Sequence, residues 1–383
     1  MTLYTYSFQE KRRDLSDILS TVIKNEPRFI SCFKRVADAT QQKHEWLEDQ
    51  IAGRSVTVQA SEENTVTLSA ADVAKLKIGT LLVIKDDSAL FRVEQIAAAN
   101  RVTLSKVAAN GSATTAPAAN AVMNIVSTPI GEGSATGEGE ETSHLSATAY
   151  NCTQIFRKDI IITGSALAIN VAGNVDNQLN RQTNFALGEL SRDLNRVALF
   201  GRRAENTAGN RGETGGLYFF TADSDLKINA NGKLIDSFMV NDGAQAVLGE
   251  GGVPTQILCS PGQARVLSNE YKNRLQIVRS DDARGAYVAV IINESNGSTM
   301  TIMADPDMPD TEAWVNDVNG FGLSNLHGRA ISDQDATPKG FDGVKRMALG
   351  ELTLEFKNAH QRLCRLYGLK PSAQALTELR SAE

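Results

Sequence analysis

Residues 174–200 read NVDNQLNRQTNFALGELSRDLNRVALF, a stretch with no proline and a single glycine. Apolar side chains recur in it at helical spacing and form one stripe, made of Leu179, Ala186, Leu190, Leu194 and Val197. Arg192 falls on the opposite face, beside Glu189 and Arg196. The pattern predicts one amphipathic helix over 174–200, roughly 40 Å long at about 1.5 Å per residue, that ends at Gly201.

Upstream of this helix, the sequence pattern of residues 54–130 is typical of a small all-β module. Short β-branched runs recur there at roughly ten-residue spacing, separated by polar or glycine-containing turns. The runs lie at 55–59, 65–69, 80–84, 91–93, 101–105 and 123–126. Their spacing indicates either a small antiparallel barrel or a sandwich.

The first residues, 1–53, are typical of an arm rather than of a domain. Apolar residues are scattered there among charges of both signs. Helical spacing predicts one short helix at 15–23 and a second that runs from Phe33 towards Trp46. Neither helix offers enough apolar surface for a core of its own.

A hinge is predicted between the β-module and the long helix. The stretch 131–141 consists largely of glycine, glutamate, serine and threonine, so it is too polar and flexible to pack. From Tyr150 to Thr163 the sequence is again rich in the β-branched and aromatic residues that are typical of strands. We therefore predict a flexible hinge followed by paired strands over 131–165.

The chain after the long helix is predicted to mix helices and strands. A Gly/Asn loop at 206–216 precedes an α/β region, in which we expect helices at 238–248 and 261–271 and strands at 256–259 and 300–303. The last stretch, 349–369, alternates on both sides of Asn358 and predicts a C-terminal hairpin. The fold class is therefore α+β.

Composition is that of an ordinary globular protein of two or three units. The 383 residues include 42% hydrophobic and 22% charged residues, with a net charge of −6 that argues against sequence-independent wrapping of nucleic acid. The four cysteines lie far apart and predict reduced thiols rather than disulfides or a zinc site. We expect no signal peptide, since the N-terminus lacks an apolar core region, and no membrane span.

Motifs for catalysis or cofactor binding are not found. His44 and Glu45 open like a zinc-protease motif, but Glu48 stands where the second histidine is needed. The glycine-rich stretches 131–137 and 209–216 lack the Lys-Ser/Thr pair of a phosphate-binding loop. No G-x-S-x-G elbow of a serine hydrolase occurs. The sequence predicts no enzyme, no cofactor and no catalytic residues.

Charged clusters also have ordinary interpretations. Asp305, Asp307 and Asp310 lie close together, but their spacing is not that of a calcium loop, so we expect a solvated proline-containing turn and no metal site. Basic runs at 11–13, 202–203 and 345–346 are short and interleaved with acids. These runs predict a solvated face or a subunit contact rather than a nucleic-acid groove.

The order of the segments resembles the major capsid proteins of tailed bacteriophages, which have the Hong Kong 97-type fold. The specific stretches resemble one branch, typified by podophage SU-ten, and are TQQKHEWL (40–47), YNCTQI (150–155), TGSA (163–166), LSRDL (190–194), RGETGGL (211–217), Met308-Pro309 and GELTLEFKN (350–358). The motif positions carried over are Trp46, Asn151, Gln154, Gly215, Gly216, Met308, Pro309, Glu351, Thr353, Leu354 and Asn358.

This resemblance implies a domain organisation. In that family an arm and an extended E-loop precede a spine helix on the peripheral (P) domain, and the axial (A) domain follows. Transferred to this chain, the segments are an arm (1–53), an inserted β-module (54–130), hinge and E-loop strands (131–165), a P domain (166–233) with the spine helix at 174–200, an A domain (234–345), strands that return to the P domain (346–372) and a tail (373–383).

The resemblance also implies a function and partners. Such subunits self-assemble as pentamers and hexamers into the icosahedral head around double-stranded DNA, which they contact only non-specifically. Portal, scaffolding and cement or decoration proteins are the other implied partners. Assembly takes place in the host cytoplasm, and the product is the virion. The inserted module departs from the family pattern, and decoration, lattice contact and cement-protein binding remain alternatives for it.

Two other interpretations stay open on the sequence. A tail or cell-surface adhesin subunit would also be rich in β-structure and free of catalytic motifs. The long helix and the single, non-repeated α/β region count against that class. An enzyme with a site assembled from distant residues is the second alternative.

Overall fold

The structure is a computed structural model that describes residues 26–49, 54–133, 146–168, 178–270 and 290–382, apart from short gaps at 86, 98–99, 109–113 and 115. The chain divides into two compact units, a larger one within 1–48 and 147–383 and a smaller one within 49–146. The helix predicted at 15–23 lies outside the described residues, as do residues 174–177 of the long helix.

The strands are, in chain order, β1 (Lys34–Arg35), β2 (Lys43–Glu48), β3 (Ser55–Thr57), β4 (Ala60–Glu62), β5 (Thr65–Thr67), β6 (Leu81–Ile84), β7 (Leu90–Ala97), β8 (Arg101–Ala108), β9 (Val122–Ser127), β10 (Ala147–Cys152), β11 (Gln154–Thr163), β12 (Lys227–Asn229), β13 (Gln256–Cys259), β14 (Val290–Ile292), β15 (Thr299–Ala304), β16 (Glu312–Asn316), β17 (Phe321–Asn325), β18 (Ser332–Asp335), β19 (Gly343–Phe356) and β20 (Leu363–Tyr367). The helices are α1 (Ala70–Val73), α2 (Gly164–Ala168), α3 (Gln178–Phe200), α4 (Leu217–Phe220), α5 (Ser237–Gly249), α6 (Pro261–Glu270), α7 (Ala359–Arg362) and α8 (Ser372–Ala382). Short 3₁₀ turns occur at Phe29–Cys32 and Val318–Gly320.

The first sheet of the larger unit, sheet I, is built around the long strand β19. Its order is β1-β17-β19-β11, and β18 also pairs with β19. Helix α3 packs on this sheet, and their shared core contains Phe156, Ile160, Ile162, Ala186, Leu190, Leu194, Ala348 and Leu352. The alternation along β11 places one set of its side chains under α3 and the other set on the opposite face.

Helix α3 covers most of the stretch that the apolar stripe predicts. Ala186, Leu190 and Leu194 are buried, and Leu179 and Val197 are half-buried against the same core. Glu189 and Arg196 are exposed, but Arg192, which the spacing predicts to face solvent with them, is half-buried. The Nε atom of Arg192 is itself buried, so the side chain folds back onto the protein and does not extend into solvent.

The second sheet of the larger unit, sheet II, mixes parallel and antiparallel pairs in the order β12-β20-β16-β13-β15-β14. Its central strand β13 is buried at every position, and α5, α6 and α8 contribute to the core that covers it. The side chain of Asp236 caps α5 by accepting the Met239 N–H at 2.8 Å. The predicted helices at 238–248 and 261–271 are confirmed as far as the described residues extend, to 270, and so are the predicted strands at 256–259 and 300–303.

The predicted C-terminal hairpin is wrong. β19 belongs to sheet I, whereas β20 pairs with β12 and β16 in sheet II. The chain turns at Asn358, whose φ of 51° is left-handed, and α7 carries it to the other sheet. Alternation identifies a strand but not its neighbour. For the same reason β17 and β18, within the segment predicted as one α/β unit, lie in sheet I.

The helix predicted from Phe33 towards Trp46 is also wrong. The segment forms a 3₁₀ turn, the short strand β1 and the strand β2. Phe33 lies 5.4 Å from the Phe356 ring and 5.0 Å from that of Phe321, so aromatic packing fixes this segment against sheet I. Tertiary contacts of this kind override a weak helical pattern.

β2 and β10 form a two-stranded antiparallel ribbon, from the pair Lys43–Cys152 to the pair Glu48–Ala147. The chain leaves the larger unit after Glu48 and returns to it at Ala147, so the smaller unit begins and ends at neighbouring positions. Among the described residues, no helix is long and apolar enough to cross a membrane.

The smaller unit is a barrel-like sheet. Its strands follow the order β3-β9-β6-β7-β8-β5-β4. Only Val58 and Gln59 separate β3 from β4, and their N–H groups bond to Ala121, beside β9, and to Thr67 of β5, near opposite ends of that order. One bent strand therefore contributes to both ends of the sheet. Each predicted β-run carries one strand, and the single sheet around one core agrees with the barrel alternative.

Candidate functional site

Three of the motif segments, 150–155, 211–217 and 350–358, meet at one buried polar junction around Asn151. The Asn151 side chain is fully buried and donates to the carbonyl oxygens of Gly215 at 3.1 Å and Leu354 at 2.7 Å. Its Oδ1 accepts the N–H groups of Gly215 at 2.7 Å and Cys152 at 2.9 Å. The amide is therefore saturated with hydrogen bonds. One side chain ties β10, the loop before α4, and β19 together.

Thr214 extends the junction between the same segments. Its N–H donates to Gln154 Oε1 at 3.1 Å. Its hydroxyl lies 3.4 Å from that of Thr353, and it accepts the Leu354 N–H at 3.4 Å. Buried polar groups cost free energy unless they are paired, so these contacts fix the register of the loop against β19.

Two glycines allow the loop to approach the end of α3. Gly216 donates its N–H to Gly201 O at 2.8 Å. A Cβ at Gly216 would stand 2.4 Å from the carbonyl oxygen of Val197 and 2.7 Å from that of Ala198. A Cβ at Gly215 would lie 2.9 Å from the Phe219 ring. Only a residue without a side chain fits at Gly216, which explains the Gly-Gly pair.

Glu351 and Trp46 anchor the outer parts of the junction. Glu351 accepts the Thr153 hydroxyl at 2.7 Å and forms an ion pair with Arg329 at 2.7 Å. Glu48 Oε1 accepts both the Trp46 indole N–H and the Asn358 backbone N–H at 2.8 Å. The ribbon β2–β10 is thereby bonded to the turn that follows β19.

A contact between His44 and Glu355 also joins the same ribbon to sheet I. His44 Nε2 lies 2.6 Å from Glu355 Oε1, and Lys357 lies 2.9 Å from Glu355 Oε2. Burial alone raises the pKa of Glu355, but the hydrogen bonds from His44 and Lys357 outweigh it and hold the pKa below its usual range. The carboxylate is thus kept charged at this contact.

Met308 and Pro309 do not lie at the junction but in a turn organised by Asp305. The prediction that this turn is solvated is wrong, because Asp305 is fully buried. Its carboxylate accepts the N–H groups of Phe29 at 2.8 Å and Asp307 at 2.8 Å. A carboxylate that accepts several backbone N–H groups is stable inside a protein.

The sequence identifies the junction only in part. It marks Asn151 and the glycines through the resemblance, but it does not single out Asn195, Glu48 or Glu355, which bond across the fold. Nothing in local spacing signals those partners, since each bond spans more than a hundred residues. Within the described residues, no cluster of His, Cys, Asp or Glu has the geometry to hold a metal ion.

Taken together, these contacts fix the N-terminal segment, the ribbon, the end of α3 and β19 against one another.

Comparison with known proteins agrees with this architecture. The family model of the SU10 major capsid protein matches residues 1–370. No curated protein matches the sequence. Among solved structures, the capsid of cyanophage A-1(L) is similar with a TM-score of 0.57 at 11% identity, covering 96% of this chain and 98% of that one. The capsid of an empty GTA particle gives 0.53 at 9% identity, with coverages of 96% and 98%.

A chain of Microbacterium phage Oxtober96 is also similar, with a TM-score of 0.50 at 10% identity and coverages of 94% and 96%. Identities this low show the fold, which is of the Hong Kong 97 type, and the family match shows the relationship. A structural capsid role follows, and the adhesin alternative is not favoured. This chain belongs to the SU10 major capsid protein family.

Proposed function

We propose that this chain builds the icosahedral head of a tailed bacteriophage around double-stranded DNA, as pentamers and hexamers of one subunit. The observation that carries the proposal is the Asn151 junction within a family of capsid proteins. Rings of five and six from one subunit require a body that keeps its shape while its contacts change angle slightly. A saturated, buried polar junction provides that rigidity.

The domain names of the family are assigned as follows. Sheet I with the spine helix α3 is the P domain, and sheet II with α5, α6 and α8 is the A domain. The ribbon β2–β10 is the base of the E-loop, and the barrel-like module is inserted in the chain between β2 and β10. Residues before β1 belong to the arm. This assignment is supported by the order of the segments and by the separate cores of the two sheets.

The barrel-like module is the part available for decoration, lattice contact or a cement protein. On the outer edge of β3 the Thr57 N–H donates to the Asp72 side chain, so we expect such a contact to use side chains and not strand addition there. Portal and scaffolding proteins are the other proposed partners. The net charge of −6 supports non-specific and weak contact with the packaged DNA.

We assign no catalytic activity to the subunit. The buried thiols support this, because burial raises the pKa of Cys259 and Cys364 to about 12, far from that of an activated nucleophile. All four cysteines are free, which supports assembly in the reducing host cytoplasm. The mature location is the virion.

The experiment that tests the proposal is expression of the chain alone, followed by light scattering and negative-stain microscopy. Angular hollow particles are the expected product. A monodisperse small oligomer, obtained with and without a crowding agent, would contradict self-assembly. Particles should form equally in chelator, since no ligand is needed.

A further inference from the structure

Strand β11 is a long free edge of sheet I. In the part of the chain that the structure describes, it pairs with β19 alone, over all ten of its residues. On the face away from α3, Ile155 is 55% exposed and Ile161 is 60% exposed. An exposed edge with apolar side chains invites another strand unless something covers it. The following inference rests on the proposed shell function.

The backbone of β11 presents its odd-numbered residues to the free edge. Gly164, directly after β11, donates its N–H to Asp342 O at 3.2 Å, on the side of β19. Thr153, directly before β11, donates its N–H the other way, to Gln42 O at 2.8 Å. Since N–H directions alternate along a strand, the free N–H and C=O groups belong to 155, 157, 159 and 161.

The sequence of β11 is symmetric about Lys158. Reading outward from Lys158, Arg157 is matched by Asp159, and Ile155 is matched by Ile161. These four side chains lie on the exposed face of the strand. They are also the residues whose backbone groups point to the free edge.

We propose that β11 of one copy pairs antiparallel with β11 of a second copy, about a two-fold axis at Lys158. In that register Arg157 lies opposite the second copy's aspartate, and Ile155 lies opposite its isoleucine. Opposite charges and paired β-branched residues are favourable across antiparallel strands. All these pairs join odd-numbered residues, so each exchanges two backbone hydrogen bonds.

Other symmetric registers are disfavoured by charge. Centring the axis on Arg157 sets two guanidinium groups opposite each other, and centring it on Asp159 does the same with two carboxylates. Like charges directly opposite are destabilising. The register at Lys158 is the one that the side chains specify.

Lys158 itself meets its symmetry mate in this arrangement, but its charge is already compensated. Its ammonium lies 2.6 Å from Asp193 and 3.9 Å from Glu189, both on α3. The two lysines at the axis would therefore alternate with carboxylates of both copies. Such a network removes the repulsion of an isolated lysine pair.

The edge is also open enough to receive a strand. At the N-terminal end of β11 there is a cleft of about 590 Å³, whose lining includes Gln154, Ile155 and Phe200. A second cleft of about 740 Å³ runs along Lys158–Thr163 and is lined on the other side by Phe185 of α3. In the proposed pair, the C-terminal half of each β11 would lie beside the cleft at the N-terminal end of the other copy's β11.

A single cysteine at the axis tests the register. In a non-hydrogen-bonded antiparallel pair the Cα atoms are about 4.5 Å apart, which is within the range for a disulfide. Oxidised particles of Lys158→Cys should therefore give a dimer band on a non-reducing gel. Thr163→Cys, exposed on the same strand, is the matched control, because its symmetry mate lies roughly 33 Å away. Oxidised wild-type particles, which lack the added cysteine, show whether the four native thiols alone produce a dimer band.

A charge exchange tests the same contact without cysteine. Arg157→Asp and Asp159→Arg each set like charges opposite each other, and each should reduce the yield of particles at least about tenfold. The double variant Arg157→Asp/Asp159→Arg restores opposite pairs and should restore assembly. Within one subunit the two side chains also pair with each other at 2.7 Å, but this ion pair is exposed, so thermal melts of the isolated subunits should change little.

The outcomes separate this proposal from the shell function. Wild-type particles without a Lys158→Cys dimer, or with equal dimer from Thr163→Cys, would overturn the strand pairing and leave the shell intact. A double variant that assembles no better than the single ones would also overturn it, and would favour a different segment on this edge. Absence of particles from the wild type would instead contradict the proposed function.

Discussion

Asn195, inside α3, donates its side-chain amide to Asp305 at 3.1 and 3.3 Å, and both residues are fully buried. The same Asn195 accepts the Ile30 N–H at 3.0 Å, and Asp305 accepts the Arg28 N–H at 3.2 Å. Three segments that lie far apart in the sequence meet at this pair. The N-terminal segment is thereby held against the spine helix by hydrogen bonds to its backbone.

Asp305→Ala should strongly destabilise the subunit. The change leaves the buried N–H of Phe29 and the part-buried N–H of Asp307 without their acceptor, while the Asn195 amide keeps its bond to Asp307 at 3.2 Å. Each orphaned donor costs about 1–3 kcal/mol, so we expect a loss of at least about 2 kcal/mol in urea unfolding. Asp305→Asn should lose less. Asp223→Ala, at an exposed position, is the control, and an equal loss there would contradict the account.

Two glycine-to-alanine changes should act in opposite directions. Gly216→Ala forces a Cβ to within 2.4 Å of Val197 O and should cost about 1–3 kcal/mol, as overpacking does. Gly188 is an exposed residue in the middle of α3, and a Cβ added there would have no atom within 4 Å. Because alanine has the higher helix propensity, Gly188→Ala should stabilise the subunit by about 1 kcal/mol. Thermal melts of both variants check this. Stabilisation by Gly216→Ala would show that the loop does not approach α3 closely.

Acid should loosen the ribbon before the rest of the subunit. The pKa of Glu355 is lowered in the folded state, so its contribution to stability is present above the ordinary value of 4.5 and is lost as pH falls through the folded pKa. Unfolding measured from pH 6 downward should show a steeper loss for the wild type than for Glu355→Gln. Identical slopes for the two proteins would contradict a charged Glu355 carboxylate at this contact.

Removal of the barrel should leave the larger unit folded. Glu48 and Ala147 are paired neighbours, so replacing 49–146 with Asn-Gly closes β2 and β10 into a hairpin with a tight turn. Circular dichroism should show a cooperative melt of the shortened chain, and the isolated barrel should fold separately. Aggregated protein from the shortened chain alone would mean that the barrel is required for the main core.

Local patterns predict elements well and their neighbours poorly. The stripe around Leu190 identifies α3, and the β-branched runs identify the strands of the barrel. The same kind of pattern places Leu363–Tyr367 in a hairpin, because alternation contains no information about which sheet a strand joins. The composition around Asp305 predicts a solvated turn. The residue is buried because its carboxylate accepts backbone N–H groups from a segment far away in the sequence.

The site is predictable to a similar degree. The resemblance identifies Asn151, Gly215 and Gly216, whose roles depend on backbone groups close to the motif segments. It does not identify Glu48 or His44 as partners of Asn358 and Glu355, since each bond closes a loop of more than three hundred residues. Long-range polar pairing is a property of the tertiary fold and has no signature in a single sequence.

The most direct test of the capsid assignment is an icosahedral cryo-electron microscopy reconstruction of the particles formed by this chain alone. The account predicts a closed shell of pentamers and hexamers, into which the larger unit fits as one rigid body with α3 on sheet I. Filaments, open sheets or small discrete rings with no closed shell would contradict it.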